Sequence, residues 1–331
     1  MAEAVSVWRP SSADAIERDL AALWRETARE GPLSRALMAN LVMVQERDDP
    51  SGNAAGREAL AGAVAQGHPV RAILLDYTPG IETPGAPQAA RVGLRTFGAS
   101  AARYGVELID IRAACPAASI RSIVTRLTRG GVPTAVWWID DLSRNPPPEL
   151  MTTLGRQFLY DSATWRDPRE GFRVVAGILA QPHAPDIADL NWRRLAPMRR
   201  AIVQGLRSEP TALELPAAGV EIRHAVSRSA SALLLAGWLS GSLEWSSEDV
   251  PRIEASGDSA DAFRATLSGG GWTVRTWMDE QRVRVTGTHQ TPFEVLLSRE
   301  TEAECIAAEL RSLGSDTALH TAVRAAAVLA Q

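Results

Sequence analysis

The chain predicts an N-terminal α/β layered domain with a mostly parallel or mixed sheet. A C-terminal α+β domain with an antiparallel sheet and flanking helices follows. Three observations predict this. Short apolar runs alternate with helix-like stretches over the first half; the pattern changes to a period of two after residue 262; two helical stretches then close the chain. A length of 331 residues suits two domains at roughly 100–200 residues each. We divide it into an N-terminal helix at 1–33, an α/β domain at 34–168 and an α+β domain at 169–331.

The elements follow in order. Residues 12–30 predict an amphipathic helix, with Ser11 or Ser12 as cap and Ile16, Leu20, Leu23 and Trp24 on one face. Gly31-Pro32 ends it. Strands are predicted at Leu37–Gln45, Val70–Tyr77, Arg91–Phe97, Val106–Ile111 and Thr134–Ile139, with a short one beginning at Leu159. Helices are predicted at Ala54–Gln66 and Ser119–Thr128, then at Arg169–Leu179 and Ile187–Leu206, the last kinked or restarted at Pro197. Val220–Val226 reads as a strand and Ser229–Leu243 as an apolar helix buried on most sides. A polar loop covers Ser246–Asp261. Phe263–Leu267, Trp272–Met278, Arg282–Thr286 and Phe293–Leu297 then alternate as consecutive antiparallel strands, with Gly269-Gly270-Gly271 and Asp279-Glu280 as turns. Helices at Arg299–Leu313 and Thr317–Leu329 complete the chain.

Composition narrows the function classes. A net charge of −4 argues against a nucleic-acid binder, which needs a basic surface to displace counterions. All 35 basic residues are arginine, so Schiff-base and Walker-type lysine chemistry is excluded. Two cysteines, Cys115 and Cys305, do not make a disulfide framework. No apolar run reaches the roughly 18–20 residues of a membrane span, and Met1–Pro10 lacks the pattern of a secretion signal. The expected location is the cytoplasm, with no membrane partner.

Catalytic signatures are absent where they would be sought. No G-x-G-x-x-G follows a strand, and no Walker loop or G-x-S-x-G elbow occurs. None of the five histidines pairs with another His or Cys at metal-ligand spacing. We therefore expect no catalytic residue, cofactor or metal. Two carboxylate pairs, Asp48-Asp49 and Asp140-Asp141, follow predicted strands, where α/β sites form. They suit a cation or acid–base work, or simply a solvated loop.

Ten tryptophans against three tyrosines and five phenylalanines point to aromatic anchoring. Trp137 and Trp138 are neighbours on a strand, so their rings face opposite ways. Both are core if both faces are covered; one meets a pocket or partner if a face is open. In Asp189–Arg200, Trp192 shares a helical face with Leu195 and Arg199. Arg193, Arg194, Arg199 and Arg200 could clamp carboxylates or phosphates, or form a solvated face balanced by Asp186 and Asp189. Trp238 lies within the apolar helix and reads as core.

These stretches, in this order, resemble the OpcA family of glucose-6-phosphate dehydrogenase assembly proteins. The resemblance rests on V-W-W at 136–138, D-S-A at 161–163 and D-L-x-W-x-R-L-x-P at 189–197. It continues with the L-L-x-x-W-L helix ending at Leu239 and with A-E-C-I-A-A-E-L-R at 303–311. One departure is visible: the family tends to carry a glycine and a nearby proline after the tryptophan pair, where this chain has Ile139-Asp140-Asp141. The resemblance implies a non-catalytic assembly factor and allosteric activator of glucose-6-phosphate dehydrogenase, at the entry of the oxidative pentose phosphate pathway. The partner-binding residues it suggests are Trp137, Trp138, Asp161, Trp192, Arg193, Arg194 and Arg199. The cysteine-linked regulation of cyanobacterial members is not carried over to Cys115 and Cys305. The alternative is an enzyme or sensor of a phosphorylated sugar, using the arginine cluster with Asp140, Asp141 and Asp161.

Overall fold

The computed structural model describes residues 2–46, 55–78, 89–98, 103–209, 211–246, 248–256, 263–312 and 314–330. The first half contains β1 (Ala2–Val5), β2 (Arg9–Pro10), α1 (Ala13–Ala28), β3 (Ser34–Arg35), β4 (Ala39–Glu46), α2 (Ala55–Gly67), β5 (Val70–Thr78), β6 (Ala89–Phe97), β7 (Tyr104–Ala114), α3 (Ala117–Leu127) and β8 (Thr134–Trp138). Next come α4 (Glu149–Thr152), β9 (Gln157–Tyr160), α5 (Pro168–Leu179), β10 (Asp186–Asp189), α6 (Leu190–Arg194) and α7 (Ala196–Leu206). The remainder is β11 (Val220–His224), α8 (Ser229–Ser242), β12 (Arg252–Ala255), β13 (Phe263–Gly269), β14 (Trp272–Met278), β15 (Arg282–Gly287), β16 (Phe293–Leu296), α9 (Glu302–Ser312) and α10 (Thr317–Leu329).

The first sheet is parallel through β7-β5-β4-β8-β9-β10. β6 and then β1 add antiparallel at the β7 side, and β2 and β3 pair with β6 and β7. Counted along the chain and setting aside the two-residue β3, which also runs parallel to β7, the six parallel strands lie in the order 3-2-1-4-5-6, the doubly wound arrangement of dinucleotide-binding sheets. β4 sits at the centre. Its first six residues are all buried, because both faces of the sheet are covered. One face packs on α1, α3 and α5 through residues such as Ile16, Val124 and Phe172. The other packs on α2 and, from near the chain's end, α9. Strand β10 and helix α9 both follow position 168 in the chain, yet both build this first layered unit.

The second sheet has the order β12-β11-β13-β14-β15-β16 and is antiparallel except for the β11–β12 pair. Among the described residues only one face is covered by helices. Val220, Phe263, Trp272, Val274 and Val283 on that face join the same core as α8 and α10. The alternation read from the sequence is thus a half-covered sheet. Helix α8 is apolar all round because neighbours surround it, and Gly237 marks its tightest approach. A Cβ there would stand 2.2 Å from the Ala322 carbonyl oxygen of α10.

Several sequence expectations are corrected. The helix predicted at Ile187–Leu206 is a strand followed by two helices, β10, α6 and α7. Ile187 and Ala188 belong to parallel pairing with β9, and Asp189 turns the chain by accepting from the Asn191 N–H at 2.8 Å. Pro197 then opens α7, where its missing N–H costs nothing. The polar loop at 246–261 contains β12, which adds one more strand beside β11. The short strands β1, β2 and β3 also escaped the sequence reading, because isolated runs of two to four residues carry too little periodicity. Ser12, rather than Ser11, caps α1 by accepting from the Ala15 N–H.

Candidate functional site at the domain junction

The carboxyl ends of β9 and β10 lie side by side, and the chain turns there into the second domain. Asp161, just past β9, caps a short 3-10 turn by accepting from the Ala163 N–H at 3.1 Å. Asp189, the last residue of β10, accepts from the N–H groups of Ser162 at 3.1 Å and Asn191 at 2.8 Å. The Asn191 amide donates to Ser162 Oγ, and its carbonyl accepts from Ser231 Oγ at the start of α8, both at 2.9 Å. One asparagine therefore ties both sheets' connections together. Asp189 is fully buried, and burial followed by the nearby Asp161 charge lifts its pKa to about 7, against the pull of its hydrogen bonds. Ser231 Oγ donates to Asn191, while Ser162 Oγ accepts from Asn191 and the Ser162 side chain also hydrogen-bonds the Asp189 carboxylate. The arrangement is one of positioning.

Arg194 donates to both Asp161 oxygens, at 2.7 and 2.9 Å. Arg193 turns elsewhere, forking onto Glu300 at 2.7 and 2.8 Å with Glu309 at 3.4 Å. Arg199 lies over the Trp192 ring, 3.3 Å from its centroid. Burial lowers the Arg199 pKa to about 10. The Trp192 indole donates to Asp316 at 2.7 Å, and Asp316 caps α10 by accepting from Leu319. Arg193, Arg194 and Arg199 thus each have a different internal partner; Arg193 and Arg194 line one surface pocket with Arg228 and Arg299, and Arg199 and Arg200 line another with Arg207. Glu302, beside Asp161, is raised by burial first and that neighbour second.

The other sequence-marked residues lie apart. Trp137 and Trp138 are 2% and 1% exposed, one in the core under α2 and α9, the other in the core under α1 and α5. Covering both faces makes both rings core. Trp192 is 4% exposed. Of the residues suggested for partner contact, Arg193, Arg194, Arg199 and Asp161 retain exposed surface. Asn191, Ser231 and Asp316 were not singled out from sequence, and Ser162 only as part of the D-S-A step at 161–163. The available signal was the repeated pattern of a strand ending on Asp with a capped turn after it. Cys115 and Cys305 are buried in separate cores on opposite faces of the first sheet, and burial pushes both thiols up.

A sheet of this strand order implies a dinucleotide at the crevice between its first and fourth parallel strands, here β4 and β8. The residues present do not fit one. That crevice, about 420 Å3, is lined by Glu46, Asp140 and Asp141 with Arg144 and Arg166 among the others. Asp140 accepts from the Glu46 N–H at 2.5 Å, and Asp141 from the N–H of Ser143 at 2.9 Å and of Arg166 at 2.8 Å. Three carboxylates and two guanidinium groups thus share the crevice. The acid near the end of the second parallel strand, Asp76, normally the ribose partner in such sheets, is 0% exposed and gripped by the Arg57 guanidinium of α2 at 2.6 Å. Residues 47–54 read RDDPSGNA, with a single glycine. Asp48-Asp49 falls within this stretch and lies outside the described residues. Among the described residues no group of His, Cys, Asp and Glu is arranged to hold a metal ion, and no helix is long and apolar enough to cross a membrane.

Comparison with solved structures finds the 3-ketoreductase KijD10 of Actinomadura kijaniata, 12% identical over 89% of this chain and 96% of that one, at a TM-score of 0.42. The WlbA dehydrogenase of Bordetella pertussis is 13% identical over 89% and 94% of the two chains, at 0.38. Likenesses this distant carry no argument. Two OxPP cycle proteins named OpcA are more informative. That of Nostoc punctiforme is 28% identical over 145 residues, 42% of this chain and 30% of the relative. That of Synechocystis is 26% identical over 136 residues, 38% of this chain and 26% of the relative. The alignments thus span less than a third of either relative's length. Residues 61–177 match the domain described as glucose-6-phosphate dehydrogenase subunit N-terminal domain, and residues 185–323 match its C-terminal counterpart. With both domains of one family present in order, the chain belongs to the OpcA family.

Proposed function

We propose that this chain is a non-catalytic assembly factor and allosteric activator of glucose-6-phosphate dehydrogenase. The observation that carries the reading is a dinucleotide-type sheet whose crevice is acid-lined, in a family described as a subunit of that dehydrogenase. A frame without a glycine-rich phosphate loop after its first parallel strand can still offer shape to another catalyst. The junction network is consistent with this use, since Asn191 hydrogen-bonds both Ser162 after β9 and Ser231 of α8, and Trp192 reaches Asp316 at the start of α10. On that surface Arg193, Arg194, Arg199 and Asp161 have atoms to present. Trp137, Trp138 and Trp192 would act from beneath, by holding it in shape.

The physics is binding linkage. A factor that prefers the active conformer of the dehydrogenase shifts its population by the difference in affinity for the two conformers. The test is to assay the dehydrogenase with and without this chain and to measure complex formation by light scattering after gel filtration. The expected result is a complex at micromolar concentration and an apparent KM for glucose-6-phosphate lower by about 5-fold or more. The chain alone turns over nothing. No complex and unchanged kinetics would overturn the reading.

A further inference from the structure

The uncovered face of the second sheet carries an ordered row of charge that neither the fold nor the junction uses. On β13, β14 and β15 the exposed positions alternate with core positions. The strand register aligns six of these outward side chains across all six strands: Glu254, Arg223, Arg264, Trp277, Arg284 and Glu294. A second row places Arg252, Glu221, Thr266, Arg275 and Thr286 beside it.

The charge is distributed unevenly. The glutamates stand toward the two ends. Glu294 pairs with Arg284 at 2.6 Å and Arg282 at 2.9 Å, while Glu221 and Glu254 pair with Arg223 and Arg252. Arg264 and Arg275 stand exposed at the centre, and among the described residues no carboxylate ion pair reaches either. Trp277 lies between Arg264 and Arg284, with the Arg284 guanidinium 5.4 Å from its ring centroid. Leu296 at the edge is 80% exposed. Six arginines face three glutamates here, in a chain whose net charge is −4. The face is a local inversion of the molecule's charge.

We propose that this face is a docking surface for an acidic protein surface, and that the occupant is the dehydrogenase itself. Naming that occupant rests on the function proposed above. Arginine and tryptophan at the centre of a flat patch are the residue types that dominate binding energy. Charge complementarity selects among occupants. Two copies of this face pressed together would bury twice as many guanidinium groups as carboxylates, leaving charge unpaired. A phosphate backbone running along the row would meet a glutamate at each end. An acidic protein patch neutralises Arg264 and Arg275 and leaves the edge pairs in place.

The test uses the full chain with Arg264→Glu and Arg275→Glu combined, with Trp277→Ala separately and with Arg169→Glu on α5 as a distant charge control. Binding to the dehydrogenase is measured by calorimetry at several salt concentrations. The expected result is wild-type affinity that falls with salt, a loss of about 100-fold or more in the double variant, a loss of about 10-fold or more for Trp277→Ala and no change for Arg169→Glu. Equal binding and equal salt dependence in wild type and double variant would overturn the surface while leaving the proposed function standing. No binding by wild type would remove both. A wild-type dimer that the double variant dissolves would make the occupant a second copy. Duplex DNA held by wild type and released by the variant would make it a nucleic acid. Either of those results overturns the proposal, as does equal weakening by the control.

Discussion

β8 and β14 each carry two tryptophans, and the pairs have opposite fates. In β8 they are Trp137 and Trp138, adjacent and both buried. In β14 they are Trp272 and Trp277, an odd number of positions apart and so also on opposite faces. Trp272 is 2% exposed and donates to Thr211 Oγ1 at 2.9 Å. Trp277 remains half-exposed under Arg284. Residue type and strand alternation are the same in both strands. The covering layers differ: helices lie on both faces of the first sheet and on one face of the second. An aromatic residue becomes an anchor for other molecules only where its face is left bare.

The largest expected effect separates the two strands directly. Trp137→Ala should destabilise the fold by about 3–5 kcal/mol, because the ring fills a core closed on every side. The measurement is chemical denaturation at neutral pH. A loss under about 1 kcal/mol would mean that the first sheet is not covered as described.

The junction between the sheets should show itself as pH dependence. Asp189 has a pKa of about 7 in the fold against 3.8 in its ordinary state. Between those values the folded chain holds a proton that the unfolded chain has released. Its stabilising contribution is therefore complete below about pH 4 and is lost as pH rises to about 7, on the order of 4 kcal/mol. Asp189→Asn keeps an oxygen for the Ser162 and Asn191 N–H groups and should flatten that slope. Parallel pH–stability curves for the two proteins would refute the assignment.

How much of this was legible depends on what each feature needs. The period-two strands at 263–297 and the helices at 169–179, 229–243 and 317–329 showed plainly, because alternation and apolar faces are local. The opposite facing of Trp137 and Trp138 was legible too. Whether those faces were covered was not, since α9 reaches the first sheet from more than 160 positions downstream of Trp137. Arg193, Arg194, Arg199 and Arg200 looked like one cluster in sequence, yet the break between α6 and α7 sends the first three to Glu300, Asp161 and Trp192. The row through Arg264 and Trp277 exists only in the register of six strands. No linear spacing reveals it, although the alternation of each strand was visible.

The contact between α8 and α10 gives the next effect. Gly237→Ala places a methyl group 2.2 Å from a backbone oxygen, which a side-chain rotation cannot relieve. The helices must separate, at about 1–3 kcal/mol. Thermal denaturation should show a lowered Tm, and an unchanged Tm would mean the crossing has room to spare.

The smallest effect belongs to the bare face and completes the contrast with β8. Trp277→Ala removes a ring that is partly in water and that rests on one guanidinium group, so the fold should lose no more than about 1 kcal/mol. Trp137→Ala and Trp277→Ala thus delete the same side chain from strands of the same alternation, and the denaturation curves should separate by several-fold in free energy. If Trp277→Ala proved as costly as Trp137→Ala, a layer would have to cover the second sheet's outer face, and its arginine row would be structural. If the cost stays small, the row persists for some reason other than holding the chain together, and binding is the use its charge and its single ring are suited to.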